Sequence, residues 1–186
     1  MTTCEPVSLQ FIKSTEDGWR FFTVKFADGI SAFARVNQQG EEIEFDDSGL
    51  RDRVVLKKSA RENLLLAVKA FNKAGAILMQ EDGPVTAAEP CFVPPKMRPI
   101  LLMAEGVDSQ GMYLYRVVFQ QENCQIEHRF NVEPKLHSLD YDDNFYDAMG
   151  KSTSLVRPLF SAIIHFFRAA HPEHEIKSAL SRHSTT

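Results

Sequence analysis

The chain has 186 residues, of which 44% are hydrophobic and 25% charged, a composition typical of a globular protein with a substantial core. Its formal net charge of -4 argues against a nucleic-acid binder that relies on phosphate neutralisation alone. Three widely spaced cysteines predict neither a disulfide framework nor a structural zinc site. Because there is neither a signal-peptide pattern nor an apolar run of membrane-spanning length, we expect a cytoplasmic protein with no membrane partner.

The first quarter of the chain alternates apolar and polar side chains in short runs separated by turn residues. Asp28 and Gly29 between two such runs favour a tight hairpin, because both residue types tolerate the positive φ angles that such turns need. This pattern predicts four β-strands, at 6–14, 19–26, 30–36 and 41–45.

A helix is predicted after these strands. Leu64, Val68 and Phe71 recur at helical spacing and form its expected core face. Gly75 predicts its C-terminal end, since glycine is the usual residue just past a helix. The segment 76–98 is rich in proline and is predicted to be an extended linker.

The clearest feature of the sequence is a repeat. The stretch 43–50, I-E-F-D-D-S-G-L, returns as 139–146, L-D-Y-D-D-N-F-Y, and the surrounding strand and helix patterns also recur. The offset between matching segments changes only in turns, as duplication followed by loop drift would produce. We therefore predict an α+β protein in which an antiparallel four-stranded sheet plus helix (β4α) occurs twice about a pseudo-two-fold axis. The predicted segments are 6–75 (first unit), 76–98 (linker), 99–170 (second unit) and 171–186 (C-terminal helix and tail).

The helix of the second unit is more apolar than that of the first. It has only a narrow polar face, and such a helix is normally buried on several sides. We predict a central core helix with Phe160, Ile163 and Phe166 buried. The alternative is that another subunit covers part of it, which would give a homodimer.

No complete catalytic or cofactor motif occurs. Asp140, Asp142 and Asp143 offer oxygen ligands, but the stretch lacks the glycine and the terminal glutamate of an EF-hand loop, and such residues are common in turns. The G-K-S-T run at 150–153 lacks the first glycine of a phosphate-binding loop. The H-P-E-H run at 171–174 lacks a third metal ligand. We therefore expect no enzyme activity, no cofactor and no bound metal.

The leading functional prediction is a non-enzymatic binding protein that acts as an adaptor, inhibitor or regulator of another protein. The second unit carries an acidic excess and an unusually apolar helix, which together favour a partner with a basic surface. The predicted contact residues come from the second acidic stretch: Asp140, Asp142, Asp143 and Tyr146.

The alternative is single-stranded nucleic-acid binding across the aromatic strands. Bases can stack on aromatic side chains while nearby cations hold the phosphates. The order of elements, four strands and a helix in tandem, resembles that of the PUR-repeat and Whirly-like nucleic-acid-binding proteins. This resemblance bears on the fold, and function does not follow from fold. The residues predicted for this alternative are Trp19, Arg20, Tyr113 and Arg116.

Overall fold

The computed structural model describes residues 5–46, 58–78, 97–121, 123–135, 138–141 and 153–171. In these residues there are eight strands and two helices. In chain order they are β1 (Pro6–Ser14), β2 (Arg20–Phe26), β3 (Ser31–Val36), β4 (Ile43–Asp46), α1 (Lys58–Leu78), β5 (Met97–Val107), β6 (Tyr113–Gln121), β7 (Cys124–Glu133), β8 (Ser138–Tyr141) and α2 (Thr153–Ala170).

All eight strands form a single antiparallel sheet in the order β4-β3-β2-β1-β5-β6-β7-β8. The α+β class is as predicted, but the sequence predicted a four-stranded sheet in each half, and the structure joins the strands into one. The junction is the antiparallel pairing of β1 with β5. Its directly opposed residues are Ser8 with Met103, Leu9 with Leu102, and Gln10 with Leu101. Joining the two inner edges satisfies backbone N–H and C=O groups that separate sheets would leave unpaired.

One face of the sheet is apolar across most of its width. Phe22 on this face packs against Phe71 of α1, and Tyr115 packs against Phe166 of α2, each pair with ring centroids 6.2 Å apart. Both helices therefore lie on this side, called here the helix-covered face, and no described helix lies on the other, the open face. One row of directly opposed residues crosses six strands on the helix-covered face, and no member is more than 4% exposed: Ala32, Val24, Leu9, Leu102, Val117 and His128.

The two helices also pack against each other, so that they form one layer over the sheet. A polar contact links them: Nδ1 of His165 on α2 lies 3.1 Å from Oδ1 of Asn63 on α1. The Asn63 amide nitrogen donates a hydrogen bond of 3.0 Å to the carbonyl of Ser59, one turn earlier. His165 therefore has a polar partner at a helix–helix contact.

The apolar character of α2 is explained within a single chain. Ile163 and Phe166 are fully buried as predicted, whereas Phe160 is only partly buried and packs against the core. In α1 the predicted core residues are also buried: Leu64, Val68 and Phe71. Because α2 contacts both the sheet and α1, its composition requires no second subunit. Neither described helix combines the length and the apolarity that crossing a membrane requires.

The prediction that α1 ends at Gly75 is wrong, because the helix continues to Leu78. The structure gives a different reason for this glycine. A Cβ atom at Gly75 would lie 3.2 Å from a terminal nitrogen of Arg20. Gly75 therefore marks a close approach between α1 and a side chain of β2.

The junction between β1 and β5 can be tested by stability measurements on one strand. Leu102 is fully buried at the junction, and Leu102→Ala should lower the free energy of unfolding by about 2–5 kcal/mol, as expected for a truncated core leucine. Val107 on the same strand is 53% exposed, and Val107→Ala should change the free energy of unfolding by less than about 0.5 kcal/mol. Urea unfolding followed by circular dichroism should show one transition for both variants. Equal effects of the two substitutions, or two separate transitions, would contradict this fold.

Candidate functional site

Three aromatic residues of the first half lie on the open face: Trp19, Phe21 and Phe33, called here the aromatic strip. Trp19 and Phe21 alternate with residues on the helix-covered face, and Phe33 lies on β3 opposite Thr23 of β2. Phe33 is 55% exposed, more than any other large apolar side chain in the described part of the chain. A large aromatic side chain is thus held in solvent at the centre of β3.

Cations lie over the two other rings of the strip. Cζ of Arg35 is 4.2 Å from the Trp19 ring centre, and Nζ of Lys13 is 5.4 Å from that of Phe21. Nε of Arg35 also donates a 2.5 Å hydrogen bond to Glu44, which lowers the pKa of that carboxyl group. Each cation–π contact contributes about 0.5–1 kcal/mol at an exposed site. These contacts fix the positions of Trp19 and Phe21 beside Phe33.

A shallow groove of about 490 Å³ runs beside the strip at the edge strand β4. Its titratable lining groups are Arg35, Glu44 and Asp46. The remaining lining residues are Phe21, Phe33, Ala34 and Phe45. The groove thus combines an apolar floor with the Arg35–Glu44 ion pair at its rim, a combination typical of binding sites.

The open face of the second half is different. Arg116 is engaged by two carboxylates, with Nε 3.1 Å from Glu105 and Nη1 3.4 Å from Glu127. Its remaining terminal nitrogen lies 3.2 Å from the sulfur of Met103. The donors of Arg116 are therefore directed to groups within the chain.

Charges of both signs occur across the open face. The described cations there are Lys13, Lys25, Arg35, Arg116 and Arg129, and the described carboxylates are Glu44, Asp46, Glu105, Glu127, Glu133 and Asp140. Because these cations do not outnumber the carboxylates, the described part of this face has no surplus of positive charge to attract phosphates.

The structure separates the residues predicted for nucleic-acid binding. Trp19 and Arg116 lie on the open face, whereas Arg20 and Tyr113 lie on the helix-covered face. The Tyr113 ring packs 5.0 Å from Phe167 of α2. Neighbouring residues of a strand point to opposite faces, so Trp19 and Arg20 cannot serve the same sheet surface.

The residues predicted for partner binding lie at the other edge of the sheet. Asp140 is exposed on the edge strand β8, opposite Asn131 of β7. Asp142, Asp143 and Tyr146 lie outside the described residues. The sequence prediction missed Phe33, although a signal was present. In S-A-F-A-R-V, Phe33 is the one large apolar residue on the face that does not carry the two alanines and Val36.

A pair of arginines meets at the ring of Phe11, a residue of the helix-covered face. Cζ of Arg20 lies 4.9 Å from the ring centre of Phe11, and Cζ of Arg98 lies 5.3 Å from the same centre. Burial, together with the charge of Arg98, lowers the pKa of Arg20 to about 10. Nε of Arg98 is buried without a hydrogen-bond partner.

Tyr115 is the largest fully buried side chain described. Its hydroxyl has no hydrogen-bond partner, and burial raises its pKa, so the group stays protonated at neutral pH. It is enclosed by the core and has no access to a substrate. In the described part of the chain, no three His, Cys, Asp or Glu side chains come together in a way that could hold a metal ion.

Comparison with protein-family models, with curated proteins and with solved structures finds no match to this chain. A functional assignment therefore rests on the two surfaces described above. The aromatic strip and its groove are accessible from solvent, and the arginine pair lies around the ring of Phe11, with Arg20 also beside Gly75 of α1.

Proposed function

We propose that this protein is a non-enzymatic binding protein that recognises another protein through the aromatic strip on the open face of its sheet. The observation that carries the proposal is the 55% exposure of Phe33 beside a groove of about 490 Å³. Burying an exposed aromatic side chain is a major source of binding free energy, and aromatic residues and arginine are enriched at protein interfaces. Phe33 would be the central contact, with Trp19, Phe21 and Arg35 around it.

The charge of the open face supports a protein partner. A nucleic acid requires a surplus of cations along the path of its phosphates, whereas the described cations here do not outnumber the described carboxylates. Arg35 and Arg116 each already bind a carboxylate of this chain. A partner protein with interspersed charges of both signs suits such a surface better than a polyanion.

We propose that Asp140 and the acidic residues that follow it in sequence form a second contact region, which would bind a basic part of the partner's surface. Asp140 lies on β8, and the strip borders β4, at the opposite edge of the sheet. The two contact regions can therefore be tested independently by substitution. The second region includes Asp142, Asp143 and Tyr146.

We also propose that the two halves derive from duplication of one β4α unit. Two observations support this: strands follow one another outward from the junction in both halves, and a helix follows the fourth strand each time. When the sequences of the two halves are aligned, Phe33 corresponds to Arg129 and Phe21 corresponds to Leu114. The aromatic strip would then be a feature acquired or retained by the first unit alone.

A photo-crosslinking experiment tests the proposed surface. A photoreactive phenylalanine analogue is placed at Phe33 in one variant and at Leu66 in another, since Leu66 is 46% exposed on α1, away from the open face. We expect a partner protein to be crosslinked from position 33 and not from position 66. With the purified partner, Phe33→Ser should weaken binding about 30-fold, since a central contact typically contributes about 2 kcal/mol.

The control for the affinity measurement is Leu66→Ser, which should leave binding unchanged. Equal crosslinking from both positions would contradict the proposed surface, as would unchanged affinity in Phe33→Ser.

Single-stranded nucleic-acid binding is the second candidate function. The observation that favours it is that three aromatic rings share one face with Lys13 and Arg35. Stacking of a base on an aromatic side chain contributes about 1–3 kcal/mol. Against it, one face of Trp19 is already covered by Arg35, at 4.2 Å.

Trp19 is the single tryptophan of the chain, so its fluorescence reports directly on the strip. Titration with short single-stranded DNA and RNA at low salt should leave this fluorescence, and the anisotropy of labelled oligonucleotides, unchanged at micromolar protein. Quenching that weakens steeply with salt and disappears in Phe33→Ala, but persists in Arg116→Gln, would instead establish the second candidate.

A further inference from the structure

The arginine pair has a definite place in the sheet. Arg20 begins β2 and Arg98 lies near the start of β5, and these strands flank β1, which carries Phe11. The two guanidinium groups therefore reach the same ring from both neighbouring strands, at 4.9 and 5.3 Å from its centre. Gly75 of α1 leaves room for the Arg20 guanidinium at the helix surface.

The positive charge of this pair is not balanced by described carboxylates. None of the ion pairs found among the described residues includes Arg20 or Arg98. Nε of Arg98 is buried without an acceptor, and an unsatisfied charged donor is costly in the folded state. The lowered pKa of Arg20, caused by burial and by Arg98, agrees with two like charges held close together. Because this pKa of about 10 is still well above 7, Arg20 remains protonated at neutral pH.

We propose that Arg20 and Arg98 form a binding site for a phosphate group. A phosphate monoester carries a charge of about -1.5 to -2 at neutral pH, which matches two guanidinium groups, whereas a carboxylate would neutralise only one. Guanidinium groups also bind phosphate oxygens through paired, charge-assisted hydrogen bonds. This site lies around the ring of Phe11 and shares no residue with the aromatic strip.

Thermal unfolding in the presence of inorganic phosphate tests the site. At matched ionic strength, phosphate in about hundred-fold excess over its Kd should raise the melting temperature by roughly 5–10 °C relative to chloride. Arg98→Gln should abolish this shift. The matched control is Arg61→Gln, because Arg61 also lies over a ring, that of Phe45 at 5.3 Å, and no second arginine among the described residues lies over that ring. It should keep the full shift.

Additional measurements identify the class of molecule that supplies the phosphate group and control for a folding defect. A nucleoside monophosphate and a phosphoserine peptide are compared with inorganic phosphate. Tighter binding of either compound supports the site and identifies the class of molecule that supplies the phosphate.

If Arg98→Gln does not fold, Arg98→Lys should still weaken binding about tenfold, because lysine cannot form paired hydrogen bonds. Phosphorus-31 line broadening of inorganic phosphate measures binding without unfolding. No shift beyond that of chloride, or a shift that survives both Arg98 variants, would overturn the proposal.

Discussion

The pairing of β1 with β5 is the contact on which the rest of the structure depends. It turns the strands of two sequence halves into one sheet, with Leu9 opposite Leu102 at its centre. Because the pairing keeps the side-chain alternation in phase, the apolar residues of both halves face the same side. Both helices can then share one layer, and a single open face remains on the opposite side.

Both proposed sites follow from this arrangement. The aromatic strip lies away from the helices because Phe33 alternates with buried alanines on β3. The arginine pair exists only because the junction places β5 beside β1, so that Arg98 reaches a ring also contacted by Arg20 of β2. The open face thus offers an apolar contact among charges of both signs, and two positive charges lie close to the ring of Phe11.

Local features were predictable from sequence, and the joining of the halves was not. The alternation in β1 and the helical spacing around Leu64 predicted these elements, since both patterns report burial of one face. Alternation is the same whichever edge a strand pairs with, so it could not predict the junction. Trp19 and Arg20 were grouped into one site although adjacent strand residues point apart. Arg98 was predicted to lie in a linker because of the prolines around it. Its contact with Phe11 depends on its position in β5, next to β1, which the sequence did not predict.

Engineered disulfides test the junction most directly. In a chain whose native cysteines, Cys4, Cys91 and Cys124, are replaced by serine, Gln10→Cys is combined with Leu101→Cys or, as the control, with Met103→Cys. Gln10 lies directly opposite Leu101, within the distance a disulfide requires, whereas Met103 is diagonal to it and farther away. Mild oxidation followed by mass spectrometry of the folded protein should show the crosslink between positions 10 and 101 and little between 10 and 103. A crosslink only between 10 and 103, or none in either variant, would contradict the single eight-stranded sheet.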